Sequence, residues 1–277
     1  MKAQAQSLLE ESRESITEPV KKEIFLEEPH RCLYRTNRRD LLIQEFITPG
    51  IPVTPGVPVT PGVPVTPGIP VTPGVTEARG KGKTRDRAVL RNEISSYLFE
   101  YLKGFHVPTH YMASRPGAEM LVKFADPIPL NVRVINRPDE HWASRFGLSN
   151  GTTLEFPVME HYLIGKDGST TWINEYHLYA FNILKPDEFR AINRLASKVN
   201  AVLRGLTDRR GMILAEVNLG FGRYNGQIIA TDELSQLTCR FLESSPAGRN
   251  GGTPYSPVDT GTGEALEALY TRLKLNA

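Results

Sequence analysis

Apolar positions recur at helical spacing in two stretches of this chain and alternate with polar ones in several others. Ile94, Tyr97, Leu98, Tyr101, Leu102 and Phe105 fall on one face, which predicts an amphipathic helix over 93–105. A second stripe, Phe189, Ile192, Leu195, Ala196, Val199, Val202, Leu203 and Leu206, follows Pro186-Asp187. Asp187 is the expected N-cap of that helix, which should close near Arg209-Arg210-Gly211. Strand-like runs lie at 23–26 and 41–46 with a turn at Asn37, from Val107-Pro108-Thr109 through Val134, and at 156–164 before the turn Lys166-Asp167-Gly168. Runs at 212–219 and 227–231 flank Tyr224-Asn225-Gly226, and Asn-Gly is a strong hairpin signal. Alternation in the first of them puts Ile213, Ala215, Val217 and Leu219 on one face. Met212, Leu214, Glu216, Asn218 and Gly220 take the other, as expected of a sheet with its core on one side and a cleft on the other.

Between the strands and the first helix the pattern breaks into a repeat. The unit Thr-Pro-Gly-(Ile/Val)-Pro-Val starts at Thr48, Thr54, Thr60 and Thr66, with a truncated copy at Thr72, and proline recurs every third residue from Pro49 to Pro73. That spacing matches one edge of a polyproline II helix, while each Pro-Gly also suits the centre of a type II turn. Neither supports a ladder or a packed core, so residues 48–75 are expected to form an expanded loop. A partner-binding proline segment is the weaker reading, since no basic anchor is interleaved. Residues 1–20 read as a polar arm and 244–263 as a Ser/Pro/Gly linker before a short helix at 263–275.

Composition narrows the class. A chain of 277 residues, 40% hydrophobic and 23% charged, can bury a sizeable core. A net charge of +2 is too small to argue for nucleic-acid or membrane partners, and neither is expected. Cys32 and Cys239 form no metal-spaced pair, residues 1–15 lack the apolar core of a signal peptide, and no apolar run is long enough to span a bilayer. A reduced, cytoplasmic chain is the expectation.

Candidate chemistry gathers at the 212–240 hairpin. Glu216, Asp232 and Glu233 are carboxylates near strand ends, with Ser235 and Arg240 beyond. Such acids suit Mg²⁺, which takes oxygen ligands and keeps several waters; an ordinary Asp-Arg pair at a solvated strand end suits them equally.

Three segments carry a family resemblance: Leu121-Val122-Lys123 with Ile128-Pro129-Leu130, Asn174-Glu175-Tyr176-His177, and the hairpin from Glu216 to Arg240. Together they resemble SAICAR synthetase, the ATP-dependent ligase of purine biosynthesis that joins aspartate to a carboxylated aminoimidazole ribonucleotide. The resemblance covers about 22–46 and 87–242, some two-thirds of the chain. Members usually read Asp-Phe-Lys-Leu-Glu-Phe-Gly and then Asp-Glu-x-Ser-Pro-Asp-x-x-Arg. Here the segments are Glu216-Val217-Asn218-Leu219-Gly220-Phe221-Gly222 and Asp232-Glu233-Leu234-Ser235-Gln236-Leu237-Thr238-Cys239-Arg240.

The resemblance implies that Asp232 is a metal-side carboxylate and that Arg240, with Ser235, binds the substrate's ribose phosphate, as a planar guanidinium suits phosphate oxygens. The family's second metal carboxylate is Gly220 here, its lysine is Asn218 and the aspartate of its Ser-Pro-Asp is Leu237. Where the family carries Gly-Lys-x-(Lys/Arg), this chain has Glu28-Pro29-His30-Arg31, and only Arg31 keeps its charge. Lys123 matches a lysine near the bound nucleotide, and Arg87 falls where the family has Gly-Lys-Gly. The early Gly80-Lys81-Gly82-Lys83 lacks a Walker pattern. In the family's phosphate-binding Val-Val-Arg-Asn stretch, Asn136 is kept, the arginine is Ile135, and Arg133 or Arg137 would supply the cation. His141, in the same stretch, joins Glu216 and Asp232 as a candidate catalytic group.

The fold expected is α+β: a small antiparallel N-terminal sheet domain (21–115) packed on a larger α/β domain (116–243), with a ligand cleft between them and a C-terminal linker and helix (244–277). Mg and ATP are the cofactors the resemblance implies, and the lost side chains weigh against a family-type Mg·ATP site. The reading favoured is an enzyme acting on a phosphoribosylated imidazole or purine-like nucleotide with altered ligase chemistry, as in nucleoside natural-product pathways of the pentostatin and coformycin type. A working ligase and a non-catalytic nucleotide-binding or partner protein are the alternatives. The expected partner is a small-molecule nucleotide, and a homo-oligomer is left open.

Overall fold

The structure, a computed structural model, describes residues 23–28, 30–47, 86–149, 152, 154–244 and 255–274. The polar arm, the proline repeat and Gly80-Lys81-Gly82-Lys83 lie outside them. The architecture is α+β, as expected. Five strands form one antiparallel sheet in the order β1-β2-β3-β5-β4: β1 (Glu23–Glu28), β2 (Arg31–Arg35), β3 (Leu41–Phe46), β4 (Tyr111–Ser114) and β5 (Glu119–Lys123). The sequence pattern misses β2, a short run between two arginines whose Cys32 is buried.

A seven-stranded antiparallel sheet follows the path β12-β11-β9-β6-β7-β8, with β10 paired to β9. Its strands are β6 (Asp126–Ile135), β7 (Val158–Ile164), β8 (Thr170–Ile173), β9 (Ile213–Tyr224), β10 (Gln227–Thr231), β11 (Cys239–Ser244) and β12 (Tyr255–Pro257). Part of the expected linker is therefore an edge strand, held by the ladder Leu242↔Pro257, Glu243↔Ser256 and Ser244↔Tyr255.

Helix α1 (Arg87–Gly104) starts six residues before the expected start at Glu93, because Asp86 accepts from the Ala88 N–H and caps it. Two short helices, α2 (Glu140–Arg145) and α3 (Glu175–Ala180), begin at Asp139 and Asn174, whose side chains cap the first turn. Helix α4 (Pro186–Asp208) begins two residues earlier than expected: Lys185 is the N-cap and Pro186 takes the first helical position, where its missing N–H costs nothing, so Asp187 lies within the first turn. Helix α5 (Gly263–Lys274) is the last of the described elements.

One core joins these elements. Ile94, Leu98 and Leu102 of α1, Ile192, Val199 and Leu203 of α4, Leu266, Leu269 and Leu273 of α5, and Val132, Val134 and Val217 of the large sheet are buried together. The opposite face of that sheet, beyond β6 and β9, is polar. Residues paired directly across antiparallel strands share a face, so Glu160, Arg133 and Asn218 form one row. Ile135, Glu216 and Arg240 form a second, and Tyr162, Asn131 and Gly220 a third.

Candidate functional site

The polar rows hold a charge network. Arg133 Nη2 lies 2.6 Å from Glu216 Oε2 and 3.7 Å from Asp139 Oδ2, and its Nη1 lies 3.5 Å from Glu160 Oε2. Burial works against the Arg133 charge, but the Glu216 hydrogen bond and the nearby acids raise its pKa overall. Glu216 is 5% exposed and also accepts from Asn218 Nδ2 at 3.2 Å. Glu160 accepts from Trp142 Nε1 at 2.9 Å and from the Tyr162 hydroxyl at 2.7 Å. Arg240 donates from Nη2 to the Arg137 carbonyl at 2.5 Å, while its Nε stands 3.8 Å from Glu216. Burial lowers the Arg240 pKa, and Glu216 partly offsets this. Asn131 Oδ1, Arg133 Nε and Arg240 Nε are buried on this face without hydrogen-bond partners. Buried polar atoms normally find partners, and these three have none among the described residues.

Where β10 ends against β9 the backbone brings Asp232 over Gly220. Asp232 has φ 66°, a left-handed conformation that Asp tolerates better than most side chains. A Cβ placed on Gly220 would meet Asp232 Oδ2 at 1.9 Å, so the carboxylate fills the space a side chain there would need. The other oxygen, Oδ1, pairs with Arg31 Nη2 at 2.8 Å, and Arg31 Nε pairs with Glu28 Oε2 at 2.6 Å. Beside this group His110 is buried, its Nδ1 3.3 Å from the Ala230 carbonyl and its Nε2 without a partner. Burial pushes the His110 pKa down to about 4, against the pull of Asp232.

A second pair, invisible to sequence patterning, locks the segment after β10. Arg91 Nη2 meets Glu233 Oε2 at 2.6 Å, and both side chains are under one-tenth exposed. Arg91 also donates to the Ile47 and His30 carbonyls. The Ser235 hydroxyl donates to Glu233 Oε1 at 2.9 Å and accepts the Leu237 N–H, so it shapes the turn between β10 and β11.

The structure thus gathers Arg133, Glu216 and Arg240 in one network and Arg31 with Asp232 in another. Other expected site residues lie elsewhere. Asn136 exchanges amide hydrogen bonds with Asn200 of α4 at 2.7 and 2.8 Å. It lines a cavity of about 150 Å³ with Arg137, Leu154, Pro157, Arg204 and Asp208. The Arg137 guanidinium stacks over the Tyr255 ring at 4.3 Å. Lys123 donates to the Thr109 carbonyl at 3.1 Å and lies over the Tyr224 ring; burial lowers its pKa. Arg87 is spent on the carbonyls of Gly261 and Thr260, before α5. His141 is exposed on the first turn of α2, while its neighbours Asp139 and Trp142 join the sheet network. Sequence reasoning missed Glu160, Trp142 and His110. The alternation of Glu160 and Tyr162 along β7 was the available signal for the first.

The residues present do not fit a divalent-metal site of the implied kind. Gly220 offers no ligand, Asp232 occupies the space beside it, and its outer oxygen is taken by Arg31. Among the described residues there is no group of three His, Cys, Asp or Glu that would hold a metal. Among the same residues no helix is long and apolar enough to cross a membrane.

Residues 76–254 match the family described as SAICAR synthetase. The chain is 37% identical over 164 residues to a phosphoribosylaminoimidazole-succinocarboxamide synthase of Persephonella marina, covering 59% of this chain and 69% of that protein. A Desulfitobacterium hafniense protein of the same name is 34% identical over 194 residues, covering 70% and 82%. Among solved structures, a SAICAR synthetase in complex with ADP superposes with a TM-score of 0.68 at 26% identity, covering 91% of this chain and 97% of that one. The synthase structure from Ehrlichia chaffeensis superposes with a TM-score of 0.70 at 22% identity, covering 92% and 100%, and shows the fold. On the family match and these relatives, the chain belongs to the SAICAR synthetase family of ligases.

Proposed function

We propose that this enzyme binds a phosphoribosylated imidazole or purine-like nucleotide on the polar face of its large sheet, and that its ATP-dependent ligase chemistry is altered. The carrying observation is the place where β10 ends against β9, where Gly220 stands with Asp232 packed into its side-chain space and tied to Arg31. Arg240 is assigned the ribose phosphate: it is partly exposed on the site face with its Nε unpartnered, and a guanidinium presents paired donors to phosphate oxygens. Glu216 orients Arg240 and Arg133 from between them. Ser235, Asn136 and Arg137 then act by holding backbone and neighbours in place. A role in nucleoside natural-product biosynthesis rests on the same lost ligase side chains. The ADP complex of a family structure supports nucleotide use in this fold, and the identity to named synthases favours a second reading, an intact ligase.

One assay separates the two. Purified protein is given Mg·ATP, aspartate and carboxyaminoimidazole ribonucleotide, with ADP followed by a coupled assay and product by mass. The expected result is neither ADP nor the succinocarboxamide, alongside binding of the ribonucleotide that Arg240→Ala weakens about tenfold or more. ADP formed together with the succinocarboxamide would overturn the altered-chemistry reading and establish the ligase.

A further inference from the structure

The guanidinium of Arg31 ties the first hairpin to the segment that follows β10. Arg31 opens β2 and reaches Glu28, which ends β1, and Asp232, which follows β10. Its side chain is 16% exposed, against 39% for Glu28 and 32% for Asp232, so the cation is the most enclosed member of the three. Burial alone would disfavour the charge, but Asp232 and Glu28 together raise the Arg31 pKa and hold the group protonated.

A divalent ion has no room to share this place. Mg²⁺ binds oxygen at about 2.0–2.1 Å with near-octahedral geometry. Glu28 Oε2 and Asp232 Oδ1 are already held by Arg31 at 2.6 and 2.8 Å. The remaining Asp232 oxygen, Oδ2, is turned into the space above Gly220. Gly220 brings no donor atom of its own side chain, and Asn131, across the ladder from it, brings a neutral amide. Arginine suits the position better than lysine would, because its rigid fork contacts two carboxylates at once and does not lose its proton.

We propose that Arg31 is a built-in cation taking the place of a divalent metal between Glu28 and Asp232, so that this chain excludes divalent ions where β10 ends against Gly220 of β9. An anionic ligand arriving there meets a fixed guanidinium rather than an exchangeable ion. The positive charge is delivered by folding, and its presence does not depend on metal supply.

The test is a titration of Mn²⁺ alone into the full-length chain, read by the electron paramagnetic resonance signal of the free ion. Wild type is expected to leave that signal unchanged at equimolar metal and protein. Arg31→Met combined with Gly220→Glu frees Asp232 and adds a second acid beside it, and is expected to take up one equivalent. Arg31→Gln alone, which keeps the length and removes the charge, is run in parallel and should take up Mn²⁺ more weakly. Far-UV circular dichroism checks that each variant is folded. Stoichiometric uptake by wild type that Asp232→Asn abolishes would overturn the proposal. So would a lack of uptake by every folded variant, since Arg31 would then not be what keeps the metal out. No substrate is present, so the outcome is separate from that of the ligase assay.

Discussion

His110 owes its chemistry to burial. Its ring packs edge-on against Phe99 at 5.2 Å, and its Nε2 has no partner. Its folded pKa of about 4 lies below the ordinary value of 6.5, so between these values the unfolded chain binds a proton that the folded chain refuses. Stability from this group is complete above about pH 6.5 and is lost as pH falls towards 4, roughly 3 kcal/mol over the whole window. Urea unfolding of wild type should therefore weaken from pH 7 to pH 5, and His110→Gln should flatten that trend. An unchanged slope in the variant would remove His110 as its source. The sequence made the charged members of the site legible, Asp232, Glu216, Arg240 and Arg31, because charges beside a hairpin stand out from its alternation. It did not make their partners legible. Arg31 meets Asp232, and Arg91 meets Glu233, only after strands far apart in the chain are brought together. Ser235 and Arg87 look like ligand groups in a string of letters, yet they are occupied by Glu233 and by the carbonyls before α5.

At the scale of elements, local signals succeeded where backbone geometry is demanding. Asn225 and Gly226 sit at φ 50° and 77°, the two left-handed positions of a tight hairpin turn, and β9 and β10 pair from Tyr224↔Gln227 onward. Gly226→Ala forces a Cβ into that conformation and should cost about 1 kcal/mol, read as a shift in urea midpoint with unchanged slope. A neutral result would mean that the turn relaxes without strain. Helix α4 was legible for its long apolar stripe, and its start was misplaced only because Pro186 moves the cap to Lys185. Strands β2 and β12 were missed for a different reason. Each is short and takes its identity from the neighbour it pairs with, β3 and β1 for the first and β11 for the second. Propensity has little to say about such strands.

Across the molecule, the C-terminal segment is part of the core rather than an appendage. Leu266, Leu269 and Leu273 of α5 are essentially buried, and Arg272 ties the helix to Glu243 and to the carbonyls of Arg210 and Gly211. Leu269→Ala should cost about 3 kcal/mol, with circular dichroism and intrinsic fluorescence still reporting one coincident transition. Separate transitions would mean that α5 unfolds as a unit of its own. The α+β class was legible because two helical periods and several alternating runs dominate the chain. How the two sheets are joined was not, since that depends on Arg31 and Arg91. The first of these couples two positions. Placing an acid at position 220 while Arg31 stays would crowd a new carboxylate onto Asp232, already 1.9 Å from where its Cβ must go. Removing Arg31 while Gly220 stays would leave Glu28 and Asp232 without their shared counter-charge. Each single substitution is expected to destabilise the folded chain more than the two made together, so the pair works as an interlock that opens only when both positions change.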